Sequence, residues 1–137
     1  MMAELPDDVR ALFEGRNYGH LATVLPSGDP HTVPVWVGVE DGRVVFFTQE
    51  QSRKARNLAR DPRVALSIVD FEQPYRSAWL RGRVVATRTG EEALAVIDRL
   101  SQKYTGQPFP MRSGIVFEIE AERTGFMDLP FRDERHP

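Results

Sequence analysis

Apolar residues recur along this chain with two different spacings, one helical and one alternating. Val9, Leu12 and Phe13 fall on one face behind Pro6, so the spacing predicts a short amphipathic helix over 7–13. Residues 19–24 read as a strand, and Pro26-Ser27-Gly28-Asp29-Pro30 is an emphatic turn. The next strand, 31–39, is interrupted by Pro34, which lacks the N–H of a central strand and belongs at a sheet edge or a bulge. Asp41-Gly42 is a hairpin signal, and 43–48 returns as the third strand. A helix over 52–60 is stopped at Asp61-Pro62, and 63–69 is a continuous apolar strand. After a loop at 71–75, residues 77–87 form a long strand centred on Gly82. Thr89 with Glu92 three residues on is the pattern of a capping box. Ala93, Val96, Ile97, Leu100 and Tyr104 give the following helix its apolar stripe. A Pro- and Gly-rich loop over 105–113, a strand at 115–119 and a short one near 125–127 complete the pattern. Six or so strands with mostly hairpin-length links and two or three helices predict a mainly β, β-rich α+β fold closed as a barrel. The βαβ alternation of a Rossmann sheet is missing, as is any GxGxxG.

The 137 residues are enough for one domain with one proper core, spanning 1–137, with 128–137 read as a flexible tail. With 41% hydrophobic and 28% charged residues the chain has an ordinary globular composition. It has no cysteine, which excludes disulfides and thiolate metal sites and agrees with a cytoplasmic location. Residues 1–6 carry no basic, apolar leader, and no apolar run approaches membrane-spanning length. A net charge of -2 argues against general nucleic-acid binding, which needs a basic field over a whole face.

Charge becomes informative at one place. The helix predicted over 52–60 carries Arg53, Lys54 and Arg56 in its first turn, where the aligned peptide dipoles already place about half a positive charge. Those cations repel the helix unless an anion joins them. Ser52 is a good N-cap and offers a hydroxyl beside the free N–H groups of the helix start. Together these predict a phosphate site over residues 48–57; the same cations also suit a merely solvated helix face. Of the eighteen basic residues only Lys54 and Lys103 are lysine, so a compact point charge stands beside the planar fork of Arg53. His20, His31 and His136 are scattered without metal-ligand spacing and read as structural or exposed. There is no GxSxG.

Phe47-Thr48, Ser52-Arg53-Lys54, Arg56-Asn57-Leu58 and Asp61-Pro62-Arg63-Val64-Ala65 strongly resemble the flavin-binding split barrels related to pyridoxamine 5'-phosphate oxidase. Pro34-Val35-Trp36, Arg81-Gly82-Arg83-Val84 and Ile97-Asp98-Arg99-Leu100 leading to Lys103-Tyr104-Thr105-Gly106 look like the actinobacterial branch that uses the deazaflavin coenzyme F420 in place of FMN. The likeness runs from about residue 15 to 126. It implies a six-stranded split β-barrel with two or three helices, a homodimer, and two cofactor sites at the subunit interface. It also implies that Thr48, Ser52, Arg53 and Lys54 hold the cofactor phosphate, with Arg56 and Asn57 in close support. Val33, Pro34, Val35 and Trp36 would run beside the ring system, and Gln49 and Ser77 would make polar contacts to the ring or tail. Arg60 would help to line a groove for the anionic tail. Asn57 equally fits a backbone-bonding role within its helix, and Trp36 equally fits the barrel core. Tyr75, Trp79, Tyr104 and Phe109 are aromatic candidates for a substrate pocket. The sequence over 131–137 lacks the oxidase's substrate-phosphate pattern of Trp and Arg, which argues against pyridoxamine phosphate oxidation.

Such a cofactor carries the difficult chemistry itself, which fits the lack of a catalytic constellation. Three functions follow: an F420-dependent reductase acting on a small conjugated or heteroaromatic molecule; an FMN-dependent oxidoreductase of the same fold; and a cofactor carrier without turnover.

Overall fold

The computed structural model describes residues 4–132. In chain order the elements are α1 (Asp7–Glu14), β1 (Gly19–Val24), β2 (Pro30–Val35), β3 (Gly38–Glu40), β4 (Arg43–Thr48), α2 (Arg53–Arg60), β5 (Arg63–Val69), β6 (Arg76–Arg88), α3 (Gly90–Thr105) and β7 (Ile115–Asp128). The strands form one antiparallel sheet in the order β2-β1-β5-β6-β7-β4-β3. β2 and β3 stand at opposite ends of that order, yet only Trp36 and Val37 separate them in sequence. So short a link spans on the order of 10 Å at full extension. The sheet therefore has to curl until its two edges meet, which makes the split barrel.

This closure divides one of the expected strands in two. The strand expected over 31–39 leaves one edge at Val35 and joins the other at Gly38, so it counts twice. Pro34 lies on edge strand β2, where its missing N–H costs nothing, as its position in sequence predicts. Conversely, the separate strands expected at 115–119 and 125–127 are the two halves of β7, which pairs with β6 along its whole length. The ladder between them slips at Arg81/Gly82. A Cβ on Gly82 would lie 2.0 Å from the carbonyl oxygen of Glu120, so only glycine fits this crossing.

Two cores form on the two faces of β4. Val44 and Phe46 point into the barrel with Phe13, Leu21, Leu66 and Ile119. Val45 points the other way and packs with Val116 beneath Ala93, Val96, Ile97 and Leu100 of α3, with Phe47 beside them. Burial on both faces is why this strand reads as a continuous apolar run. The capping box expected at Thr89 is not made. Thr89 holds the N-cap position, but its hydroxyl bonds no helix N–H, and Gly90 takes a left-handed φ of +64° that turns the chain off the path a capping box requires.

The far end of α3 ties the closure together. The Lys103 ammonium donates to the carbonyls of Phe13 (3.1 Å), Glu14 (3.3 Å) and Val37. The Tyr104 hydroxyl donates to the carbonyl of Asn17 at 2.5 Å and accepts the N–H of Val37 at 3.1 Å. Burial lowers Lys103 to about 8 and raises Tyr104 to about 12. Residues 128–132, the start of the expected tail, lie back on the sheet: Leu129 donates its N–H to Tyr75, and the Phe131 ring stands edge-on to Tyr75. Residues 133–137, with His136, lie outside the described residues. No described helix is long and apolar enough to cross a membrane.

Candidate functional site

Ser52 caps α2 as its sequence predicts, its hydroxyl accepting the N–H of Ala55 at 3.1 Å. The N–H of Ser52 itself goes to Gln49, and that of Arg56 to Ser52. The N–H groups of Arg53 and Lys54 have no acceptor among the described residues. They are the two orphan donors of this helix start. No acidic residue lies in this first turn. The Lys54 pKa is lowered by burial, so its charge stands in a partly dry place. Arg53 is held from beneath: its Nε donates to Oδ1 of Asn57 at 3.1 Å, and Asn57 Nδ2 donates to the Thr23 hydroxyl at 3.0 Å. Asn57 is fully buried, so it reaches a ligand only through Arg53. Its side chain bonds two other side chains and no helix backbone, which places it in support of Arg53. Arg56 is exposed, and Thr48 is buried at the end of β4.

Beside this helix start lies an open cavity of about 360 Å³ lined by Pro34, Val35, Trp36, Lys54, Phe47 and Phe109, with Tyr18 at its edge. Trp36 leaves β2 at the closure and stacks on Tyr104, with ring centres 5.2 Å apart and planes inclined by 8°. Phe109 stands edge-on to Phe47 at 5.1 Å and to Trp36 at 6.2 Å. A flat, apolar, aromatic-walled recess with one ammonium at its rim suits a planar ring bearing an anionic arm.

The predicted site residues divide sharply. Pro34, Val35, Trp36 and Lys54 line one cavity, and Ser52 and Arg53 adjoin it on the same helix start. Val33, on the same face of β2 as Val35, packs on the barrel core and does not line the cavity, whereas Val35 belongs to both. Gln49 is engaged at both ends of its amide, donating to the Ser113 carbonyl at 2.8 Å and accepting the Ser113 hydroxyl at 3.0 Å, so it holds a loop. Arg60 donates to the Val24 carbonyl of its own chain, which ties that guanidinium to β1. Ser77 lies opposite Val69 and Met127 in the sheet, outside this cavity. Of the aromatic candidates only Phe109 lines the cavity. Tyr104 is buried beneath Trp36, Tyr75 pairs with Phe131, and Trp79 lies on the outer sheet face. Nothing in the sequence marks Tyr18 or the ring of Phe47 as a cavity wall. Tyr18 falls between α1 and β1, where no period is read, the strand period at Phe47 shows only burial, and the cavity exists because the closure brings Trp36 beside β4. Among the described residues no three His, Cys, Asp or Glu side chains group to hold a metal ion.

The family model for pyridoxamine 5'-phosphate oxidase matches residues 5–126, nearly the whole described chain. The chain belongs to the pyridoxamine 5'-phosphate oxidase family. Its fold is that of oxidoreductases with flavin-type cofactors. It is 44% identical over 53 residues to a pyridoxine/pyridoxamine 5'-phosphate oxidase of Bacteroides thetaiotaomicron, a match covering 38% of this chain and 25% of that protein. It is 34% identical over 83 residues to a 5a,11a-dehydrotetracycline/5a,11a-dehydrooxytetracycline reductase of Streptomyces rimosus, covering 55% of this chain and 58% of the relative. These matches span a quarter to somewhat over half of the relatives' length. A solved structure described as an F420 reductase superposes with a TM-score of 0.77 at 27% identity, covering 88% of this chain and 98% of the other. The two share the fold over most of this chain and nearly all of the other.

Proposed function

We propose that this protein is an oxidoreductase that uses reduced coenzyme F420 to reduce a small conjugated or heteroaromatic molecule, with the cofactor held between two copies of the chain. The observation that carries this reading is the junction of the α2 helix start with the aromatic cavity, because a phosphate-bearing planar cofactor needs both at once. The donor set fits the phosphate: two free backbone N–H groups, the Lys54 ammonium and the braced Arg53 guanidinium. Pro34, Val35 and Trp36 would lie against the ring, and Thr48 and Arg56 would stand close by. When bound, the deazaflavin supplies a hydride from one ring carbon. The chain's own part is to bind the arm, orient the ring and keep water from it. The likeness to the F420 reductase, over nearly all of both chains, favours the deazaflavin over FMN.

FMN remains the second reading, since the curated oxidases match the chain most strongly within their segment. The two readings separate on titration of the cofactor-free protein with F420 and with FMN. A tenfold preference for F420, about 1.4 kcal/mol, is the expected outcome. Turnover of an acceptor by the reduced cofactor then distinguishes a reductase from a carrier that binds and transfers nothing. A preference for FMN overturns the deazaflavin reading and leaves the phosphate site standing.

A further inference from the structure

Residues 106–113 contain no helix or strand, yet Phe109 in their midst is a half-buried wall of the aromatic cavity. A loop without ladder bonds keeps such a ring in place only if something outside it fixes the backbone. Asp98, on α3, does this from two directions. Its Oδ1 accepts the N–H of Phe109 at 3.1 Å. Its two oxygens also take the Arg112 guanidinium at 3.0 and 3.1 Å, and Arg112 donates in turn to the Phe109 carbonyl at 2.8 Å. Both backbone groups of Phe109 are thus claimed by one ion pair. The Asp98 carboxyl is held below its ordinary range by that guanidinium and by the Phe109 N–H, so the clamp stays charged. Gln49 pins the other end of the loop through Ser113.

We propose that Asp98, with Arg112, is a positioning residue that sets Phe109 as the wall of the ring cavity and so fixes which planar ring the cavity admits. The inference rests on the reading of that cavity as the cofactor's ring site. Magnitude separates it from plain stabilisation. Asp98 and Arg112 are one-third and one-half exposed, and an ion pair so wet contributes little to folding. Its consequence lies in where Phe109 stands.

The test uses the two tryptophans. In a Trp79→Phe background all indole emission comes from Trp36, against which Phe109 packs. Asp98→Ala and Arg112→Ala should each raise acrylamide quenching of Trp36 with little change in melting temperature. Adding Phe109→Ala to either should raise it no further, because all three remove the same wall. Unchanged quenching in both clamp variants, or additive effects with Phe109→Ala, overturns the proposal. In the second arm, Asp98→Ala should weaken binding of F420, or of FMN if that is the cofactor bound, by tenfold or more. Asp98→Asn keeps an acceptor for the Phe109 N–H and should recover part of the loss; an affinity unaltered by Asp98→Ala also sinks the proposal. A wild-type chain that binds neither cofactor refutes the cofactor reading, while the quenching result still decides the clamp.

Discussion

Arg53 and Lys54 are adjacent and both cationic, but their surroundings give them different parts. Lys54 stands partly dry at the cavity rim, and Arg53 is braced by Asn57, which is itself braced by Thr23. Replacing both cations by Ala should cost about 3–5 kcal/mol of cofactor binding, the scale of two charge-assisted bonds. Folding should hold or improve, because the change relieves repulsion at the helix start. Calorimetric titration and a melt on the same sample check the two halves; unchanged affinity removes the phosphate assignment. Asn57→Ala should instead lose both stability and affinity, since it empties a buried site and frees Arg53. Lys103 and Tyr104 give a second residue-scale prediction, in stability against pH. Lys103 falls to about 8 in the fold, so between pH 8 and its ordinary value near 10.5 the unfolded chain holds more protons and stability rises with pH. Tyr104 is raised to about 12, so above pH 10 the folded chain holds more protons and stability falls. Denaturant titrations across pH 7.5–11.5 should show Lys103→Met flattening the rise and Tyr104→Phe flattening the fall. The sequence announced the α2 cluster through misplaced charge, whereas Lys103 and Tyr104 stood out in the family resemblance, the stripe of α3 and the aromatic candidates for a pocket, none of which shows that they tie the closure.

At the scale of elements, most of the fold was legible because each period had one reading. Alternation gave the strands, the stripe of Val96, Ile97 and Leu100 gave α3, and Pro34 announced the edge. What could not be read was whatever depended on closure: the division of β2 from β3, the joining of the two halves of β7, and the walls that Trp36, Phe47 and Phe109 make together. A local pattern carries no information on which sheet edges meet. Gly82 shows the converse, a single residue whose identity is dictated by a distant strand. Gly82→Ala would drive a Cβ to 2.0 Å from the Glu120 carbonyl, a backbone atom that has no rotamer to yield. The expected cost is about 3 kcal/mol or more, in the tail of single-substitution effects. Glu118 tests the same pair of strands by charge. It takes Arg43 at 3.3 Å and Arg88 at 3.0 Å with only 11% of its side chain exposed. Glu118→Ala should destabilise by about 3 kcal/mol, because Arg43 loses its carboxylate and Arg88 keeps only the exposed Asp41. Urea denaturation measures both, and a loss below about 1 kcal/mol for Gly82→Ala would mean that β6 and β7 part more readily than their register implies.

At the scale of the whole molecule, one face of the barrel has no described helix or loop packed on the row through Trp79, which is 40% exposed. Pro34, His20, Ser67, Trp79 and Gly125 stand side by side across β2, β1, β5, β6 and β7. The Trp79 indole lies over Gly125, where a Cβ would come within 2.3 Å of it, and Arg81 stacks on its ring at 5.1 Å. Val69 and Met127, one pair further along, are 42% and 54% exposed. The Trp79 row itself is uncharged and five strands wide, with Arg81 and Arg123 on the next row, and it is broader than a lone aromatic on a solvated sheet requires. Pro34 belongs both to this row and to the aromatic cavity, so whatever covers the face also reaches the cavity mouth. A second copy of the chain satisfies both conditions, because a twofold contact sets the same face against itself and places each cavity beside the other copy. Sedimentation should therefore give a mass of about twice 15.6 kDa. Trp79→Glu would replace the two apolar indoles at that contact by two like-charged carboxylates, and should shift the chain to monomer while leaving the barrel folded, since Trp79 is outside both cores. If the cavity is completed by the partner, the monomeric variant also loses cofactor affinity, although every cavity residue of its own remains in place. A monomer that binds as tightly as the wild type would show that one chain holds the whole site, and the shared-site arrangement would have to be given up.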